Sequence, residues 1–123
     1  MKAWLQRHDQ SAAEFEVVDA AAAIRILREF DWRVERELQT QNPGDTCDPG
    51  LGLMVGDGHI LHLCPDGDGC CLVHFHQPVR SRILWFGRSR KTVQSWRAVP
   101  PELAGRMIED LFNGNYESLR RRE

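Results

Sequence analysis

Between Leu51 and His76 the chain reads LGLMVGDGHILHLCPDGDGCCLVHFH, with three short apolar runs at 51–55, 59–64 and 70–75 separated by two turns rich in Asp and Gly. Such dipeptides supply the positive φ angles of tight hairpins, so the stretch predicts three antiparallel strands. A two-residue turn at Asp57 and Gly58 sets Leu53 opposite His62 and Leu51 opposite Cys64. A loop over 65–69 sets Cys64 opposite Cys70, His62 opposite Leu72 and Ile60 opposite His74. Alternate strand residues point to opposite faces. One face then carries Met54, Leu61, Leu63, Cys71, Val73 and Phe75, ready to pack beneath helices. The other mixes Leu51, Leu53, Val55, Ile60 and Leu72 with His62, Cys64, Cys70 and His74, and is expected to be partly wet.

Residues 3–8, anchored by Trp4, and 14–18 read as two further short strands. Asp19 is placed to cap a helix over AAAIRILREF. Its stripe of Ala20, Ala23, Leu27 and Phe30 continues at helical spacing through Val34 and Leu38, which favours one long helix. The competing reading breaks it near Asp31 and makes 32–38 a strand, because Trp32, Val34 and Leu38 also alternate with charges. Arg25, Glu29, Arg33 and Glu37 form a ladder suited to a solvated helix face. After a Pro- and Gly-bearing loop over 39–50 and the three strands, residues 81–87 and 92–99 suggest two more strands. Pro100 and Pro101 then open an amphipathic helix carrying Leu103, Met107, Ile108, Leu111 and Phe112, which Gly114 ends. The expected fold is α+β: an antiparallel meander sheet of about five strands with two main helices on one face. Residues 1–123 are expected to form a single domain with a frayed tail over 117–123.

A chain of 123 residues can bury a core without disulfide or metal staples. At 41% hydrophobic, 28% charged and a net charge of -2, global charge argues neither for nor against nucleic acid. The opening residues hold no apolar run of signal-peptide length and no stretch reaches the length of a membrane span, so a cytoplasmic protein without a membrane partner is expected. Thiols there are reduced as a rule. Cys64 and Cys70 are the exception to consider, since directly opposed strand residues lie about 5.5 Å apart at Cα, which a disulfide tolerates.

His62, Cys64 and Cys70 share a face and are the candidate metal ligands, but no C-x-x-C or helical H-x-x-x-H accompanies them, and no metal or cofactor is expected. Cys and His are abundant without a nucleophile turn, and PDGDG lacks the distal Glu of a calcium loop, so the chain is read as a non-enzyme. Charge layout says more. From Glu37 to Val79 there is no Lys or Arg, while Asp45, Asp48, Asp57, Asp66 and Asp68 fall in loops and turns. The sign then reverses with Arg80, Arg82, Arg88, Arg90 and Lys91 around Trp85 and Phe86. That basic segment is the alternative reading, a nucleic-acid-binding module, because Arg neutralises phosphate and aromatic rings stack on bases. The acidic turns suit a basic protein surface instead.

The order of an Asp-capped helix, a meander with GDGHILHL and CCLVHF, the WFG after an aromatic run and the closing WRAVPPELAGRMIEDLFNGN resembles the Imm1-type immunity proteins of bacterial polymorphic toxin systems. The chain departs from that pattern at Asn115 and Leu119, where the family often has Pro and Trp. The resemblance implies a strand after the first helix, and a protein that binds a cognate toxin in the same cell and blocks its active or substrate surface. On that reading Asp45, Asp48, Asp57, Asp66 and Asp68 mimic nucleic acid toward a nuclease-like or deaminase-like toxin. Trp85 or Trp32, if exposed, is the anchor.

Overall fold

A computed structural model describes residues 1–9, 11–41, 48–79 and 90–122. Their elements are β1 (Lys2–Gln6), β2 (Ala12–Glu16), α1 (Ala20–Glu29), α2 (Trp32–Thr40), β3 (Gly50–Met54), β4 (Ile60–Pro65), β5 (Cys71–Val79), β6 (Arg90–Val99), α3 (Pro101–Phe112) and α4 (Tyr116–Arg120). The strands make one antiparallel, six-stranded sheet in the order β2-β1-β3-β4-β5-β6. The expected α+β class and meander are present, with one strand more than expected. The proposed strand at 81–87 lies outside the described residues.

Both central hairpins differ in register from the sequence reading, for one reason. The bonds Val55 N to His59 O and Asp66 N to Cys70 O close three-residue loops, and each loop ends on a glycine with positive φ, Gly58 at 98° and Gly69 at 98°. Leu51 therefore opposes Leu63 and Leu53 opposes Leu61, one residue from the expected pairing. A one-residue slip exchanges the faces of β3: Leu51 and Leu53 join the core and Met54 turns outward. The second hairpin is displaced by two residues, which preserves the faces but sets His62 opposite His74, Ile60 opposite His76 and Cys64 opposite Leu72. The opposed Cys64 and Cys70 that a disulfide would need are not formed.

The first helix ends where the competing reading broke it, yet residues 32–40 continue as a second helix and not as a strand. Asp31 caps α2 by accepting the Val34 N–H at 3.2 Å, as Asp19 caps α1 by accepting that of Ala22 at 2.8 Å. Trp32 folds back so that its indole N–H donates to the Leu27 carbonyl at 2.7 Å, satisfying an acceptor left open at the end of α1. The break rotates the stripe: Trp32 and Glu35 are buried and Val34 is 46% exposed. Trp32, at 6% exposure, is a core residue and not a surface anchor. The helix at 32–40 also takes the place of the strand that the family resemblance implied.

Helices cover one face only. Ala3, Leu53, Leu61 and Phe75 form one buried row across the sheet, and Leu51, Leu63 and Val73 the next. Ala23 and Leu27 of α1 and Ala104, Met107, Ile108 and Leu111 of α3 belong to the same core. Each such leucine contributes about 1.5–3 kcal/mol on burial. Residues 117–122, expected as a frayed tail, carry the end of α4: Leu119 is buried, Arg122 Nε meets Asp110 at 2.7 Å, and the Trp96 indole donates to the Arg122 carbonyl.

A buried carboxylate fastens α2 to the sheet. Glu35 is 2% exposed, and its oxygens accept from Arg7 Nε at 3.0 Å, Arg7 Nη2 at 2.7 Å and the His8 backbone N–H at 2.9 Å, with His8 Nδ1 at 2.7 Å. Burial, the largest single influence, pushes its pKa up, but the bonds from His8 and Arg7 and the Arg7 charge together hold it below the ordinary value. A lowered carboxyl pKa contributes stability that is present above the unfolded-state value of about 4.3 and lost as pH falls through the folded value. Glu35→Gln is expected to cost about 2 kcal/mol at neutral pH, from lost charge-assisted bonds. In denaturant titrations the gap from wild type should narrow in acid; a gap independent of pH would contradict the ionised state.

Candidate functional site

The sheet's other face is left without helices. β3, β4 and β5 contain no Asp, Glu, Lys or Arg at any position. Pairing lines up Trp4, Gly52, His62, His74 and Ser95 across five strands, and beside them Lys2, Met54, Ile60, His76 and Val93. The Trp4 and His62 ring centroids are 6.2 Å apart, those of His62 and His74 6.3 Å, and those of His74 and His76 6.4 Å. His74 Nδ1 lies 2.7 Å from Ser95 Oγ, which fixes that ring across β5 and β6. Val93 is 52% exposed.

This row exists because of a glycine. The Trp4 indole lies on the backbone of Gly52, where a Cβ would sit 2.0 Å from Trp4 Cε2. Gly within an apolar strand marks such close approach, and in GLGLM it was the available clue to this face. The sequence reading missed Trp4 here because nothing in the chain order says that β1 pairs with β3. It also missed Met54, which it had placed in the core.

His62 is half-buried among these rings. Desolvation, and then the proximity of His74 and His76, pushes its pKa from 6.5 to about 4, against a smaller opposing influence of Asp48. The imidazole is therefore neutral at physiological pH. Cys64 Sγ lies 3.7 Å from His62 Nδ1. Cys70 stands in the β4–β5 turn and does not join them; among the described residues no three His, Cys, Asp or Glu side chains converge as a metal site requires.

Of the described acidic candidates, Asp57 stands apart from Asp48, Asp66 and Asp68. Asp57 precedes β4 and Asp66 comes just after it, so they occupy opposite ends of the sheet. Asp57 is engaged within the chain: Oδ1 lies 2.7 Å from His59 Nδ1 and Oδ2 accepts from the Tyr116 hydroxyl at 3.1 Å. The His59 and Tyr116 rings stack at 3.9 Å, so this cluster clamps α4 to the β3–β4 turn. Asp48 accepts from Arg36 at 3.1 Å and Gln39 at 3.0 Å. Asp66 and Asp68 remain exposed, the Asp68 N–H donating to Asp66 Oδ1 at 2.8 Å. Asp45, Trp85 and residues 80–89 of the basic segment lie outside the described residues, as do the side chains of Arg90 and Lys91.

The Trp4–Gly52–His62 packing yields two expected outcomes. Gly52→Ala is expected to destabilise by about 1–3 kcal/mol through overpacking. The loss should vanish in a Trp4→Ala background; an undiminished loss there would show that the indole is not the obstacle. His62 behaves as a depressed base: the unfolded ring gains its proton below about 6.5 and the folded ring only near 4, so stability present above the first value is lost as pH falls toward the second. The loss is on the order of 3 kcal/mol. Denaturation midpoints across this window should drop for wild type and drop less for His62→Gln; parallel curves would refute it.

Comparisons with protein-family models, with curated proteins and with solved structures find no match to this chain.

Proposed function

We propose that the chain is an immunity protein that binds a cognate bacterial toxin and neutralises it by covering its active or substrate-binding surface, docking through the helix-free face of the sheet. The observation that carries the reading is the composition of that face: rings at Trp4, His62 and His74, apolar side chains at Ile60, Leu72 and Val93, and no Asp, Glu, Lys or Arg on its three central strands. Protein interfaces are marked by depletion of charge and enrichment in aromatic residues at their centre. The reading uses no catalytic step, and it rests on the family resemblance for the nature of the partner.

The exposed Asp66 and Asp68 lie at the end of β4, at the rim of this face, where charge steers association and sets the salt dependence more than the affinity. A nucleic-acid platform is the second reading, because Trp4, His62 and His74 are spaced as a row of rings on which bases can stack. On the same face Lys2 is committed to Glu14 at 3.3 Å, which leaves one fewer cation for phosphate.

The test is capture of the tagged protein from its native cells at moderate salt, followed by expression of the recovered partner. A stoichiometric protein that kills cells alone and is silenced by co-expression supports the reading. Ile60→Glu with Leu72→Glu should then weaken the complex at least about 100-fold, by the loss of central contacts, while thermal melting stays near wild type. Asp66→Lys with Asp68→Lys should mainly slow association. Recovery of nucleic acid lost steeply as salt rises, or full affinity in the Ile60/Leu72 variant, would overturn it.

A further inference from the structure

The helix side of the molecule holds a cavity of about 320 Å³, across the sheet from the centre of the proposed docking face and bordered by the same β4–β5 turn that carries Asp66 and Asp68. It opens where the end of α1, the start of α2, the β4–β5 turn and the first turns of α3 meet. Ile24, Leu27, Phe30, Trp32, Pro65 and Cys71 make its apolar wall. Its size falls within the range of small-molecule sites.

Missing side chains create the space. Gly67, Gly69 and Gly105 all border the cavity. The two turn glycines have positive φ, 90° and 98°, and their conformation accounts for them. Gly105 differs. It sits inside α3, where glycine costs roughly 0.5–1 kcal/mol against alanine. A Cβ there would meet Ile24 Cδ1 at 3.6 Å, an ordinary contact. Neither backbone nor packing demands glycine at 105, and what its absent side chain leaves is cavity.

The rim is polar on one side, with Arg28, Asp31 and Arg33. Asp31 uses Oδ1 to cap α2, and Arg33 reaches Glu37 only at 3.8 Å on the surface. Arg28 is exposed and has no ion pair among the described residues. Inside, burial pushes the Cys71 thiol up to about 12, so that wall is uncharged at any physiological pH. Two guanidiniums against the one carboxylate of Asp31 leave the rim net positive, and an apolar interior beneath it suits a compact apolar body with one anionic head.

We propose that this cavity is a binding site for a small aromatic or aliphatic carboxylate, seated against Leu27, Phe30 and Trp32 with its head at Arg28 and Arg33. The site shares no residue with the docking face, so it stands or falls separately from the immunity reading.

The full chain is titrated with naphthalene-2-carboxylate and, in parallel, with the neutral naphthalene-2-carboxamide, followed by calorimetry and by the indole N–H resonances. The carboxylate should bind one to one, about tenfold or more tighter than the amide, and shift the Trp32 indole while leaving those of Trp4 and Trp96 in place. Arg28→Glu, a surface change, should remove the preference for the carboxylate. Gly105→Met should fill the space and abolish binding of both compounds without lowering the melting temperature. Lack of saturation at millimolar concentration, equal shifts at the Trp4, Trp32 and Trp96 indoles, or undiminished binding in Gly105→Met would overturn the site. Equal affinity for the two compounds would overturn the anionic class.

Discussion

Strands β3, β4 and β5 contain no Asp, Glu, Lys or Arg, yet helices cover only one of the two faces that these strands make. The pleat divides the apolar residues between faces, and α1 and α3 can screen one. On the screened face leucines oppose leucines, Leu51 with Leu63 and Leu53 with Leu61, and all are fully buried. The other face meets the same problem with rings and glycines. Trp4 lies flat on Gly52, and imidazoles take the positions where aliphatic side chains would give a surface prone to indiscriminate association. Imidazole serves there because it is apolar in its body and polar at its tip, and at His62 burial keeps it neutral.

The apolar core holds α1 and α3 to the sheet, and polar contacts at the sheet's ends add the hold on α2 and α4. At one end Glu35 gathers Arg7 and His8, while Arg36 reaches the Pro65 carbonyl at 2.8 Å and Asp48 at 3.1 Å. Thus α2 is tied to the β1–β2 turn and to the β4–β5 hairpin by adjacent residues. At the other end Asp57, His59 and Tyr116 join α4 to the β3–β4 turn. These contacts occupy two of the acidic residues that looked available for a partner, Asp48 and Asp57. Turn carboxylates satisfy nearby N–H groups first, and sequence alone does not say which remain free.

What was legible in the sequence was what depends on local periodicity. The three central strands, the amphipathic α3 with its Gly114 stop, and the Asp19 cap are set by residues within a turn or two of one another. What was not legible depends on distant contacts or on a single turn residue. Asp57-Gly58 permits both a two-residue and a three-residue loop, and the choice decides whether Leu51 and Leu53 or Met54 face the core. The stripe through Val34 and Leu38 fits a continuous helix equally well until Asp31 acts as a cap and the Trp32 indole closes the end of α1. The candidate face itself required the β1–β3 pairing, which no local signal announces. His62 was identified as a site residue, but with Cys64 and Cys70 as a ligand set and not as the middle of a row of rings.

That row also bears on how a partner could bind at little cost. Covering an ionised group withdraws it from water, and the penalty usually cancels much of what new contacts provide. His62 has already lost its proton preference to burial among Trp4, His74 and His76, so at neutral pH its desolvation is met in folding and not in association. The flanking charges are arranged alike: Lys2 is matched by Glu14, and the terminal ammonium of Met1 by Glu16 at 3.3 Å, both beside the edge strand β2. Unpaired charge is thereby kept off the centre of the face and placed in turns such as Asp66 and Asp68 at its rim. On the proposed reading, a ring-bearing centre free of Asp, Glu, Lys and Arg would supply affinity while the carboxylates at the rim would set the encounter rate.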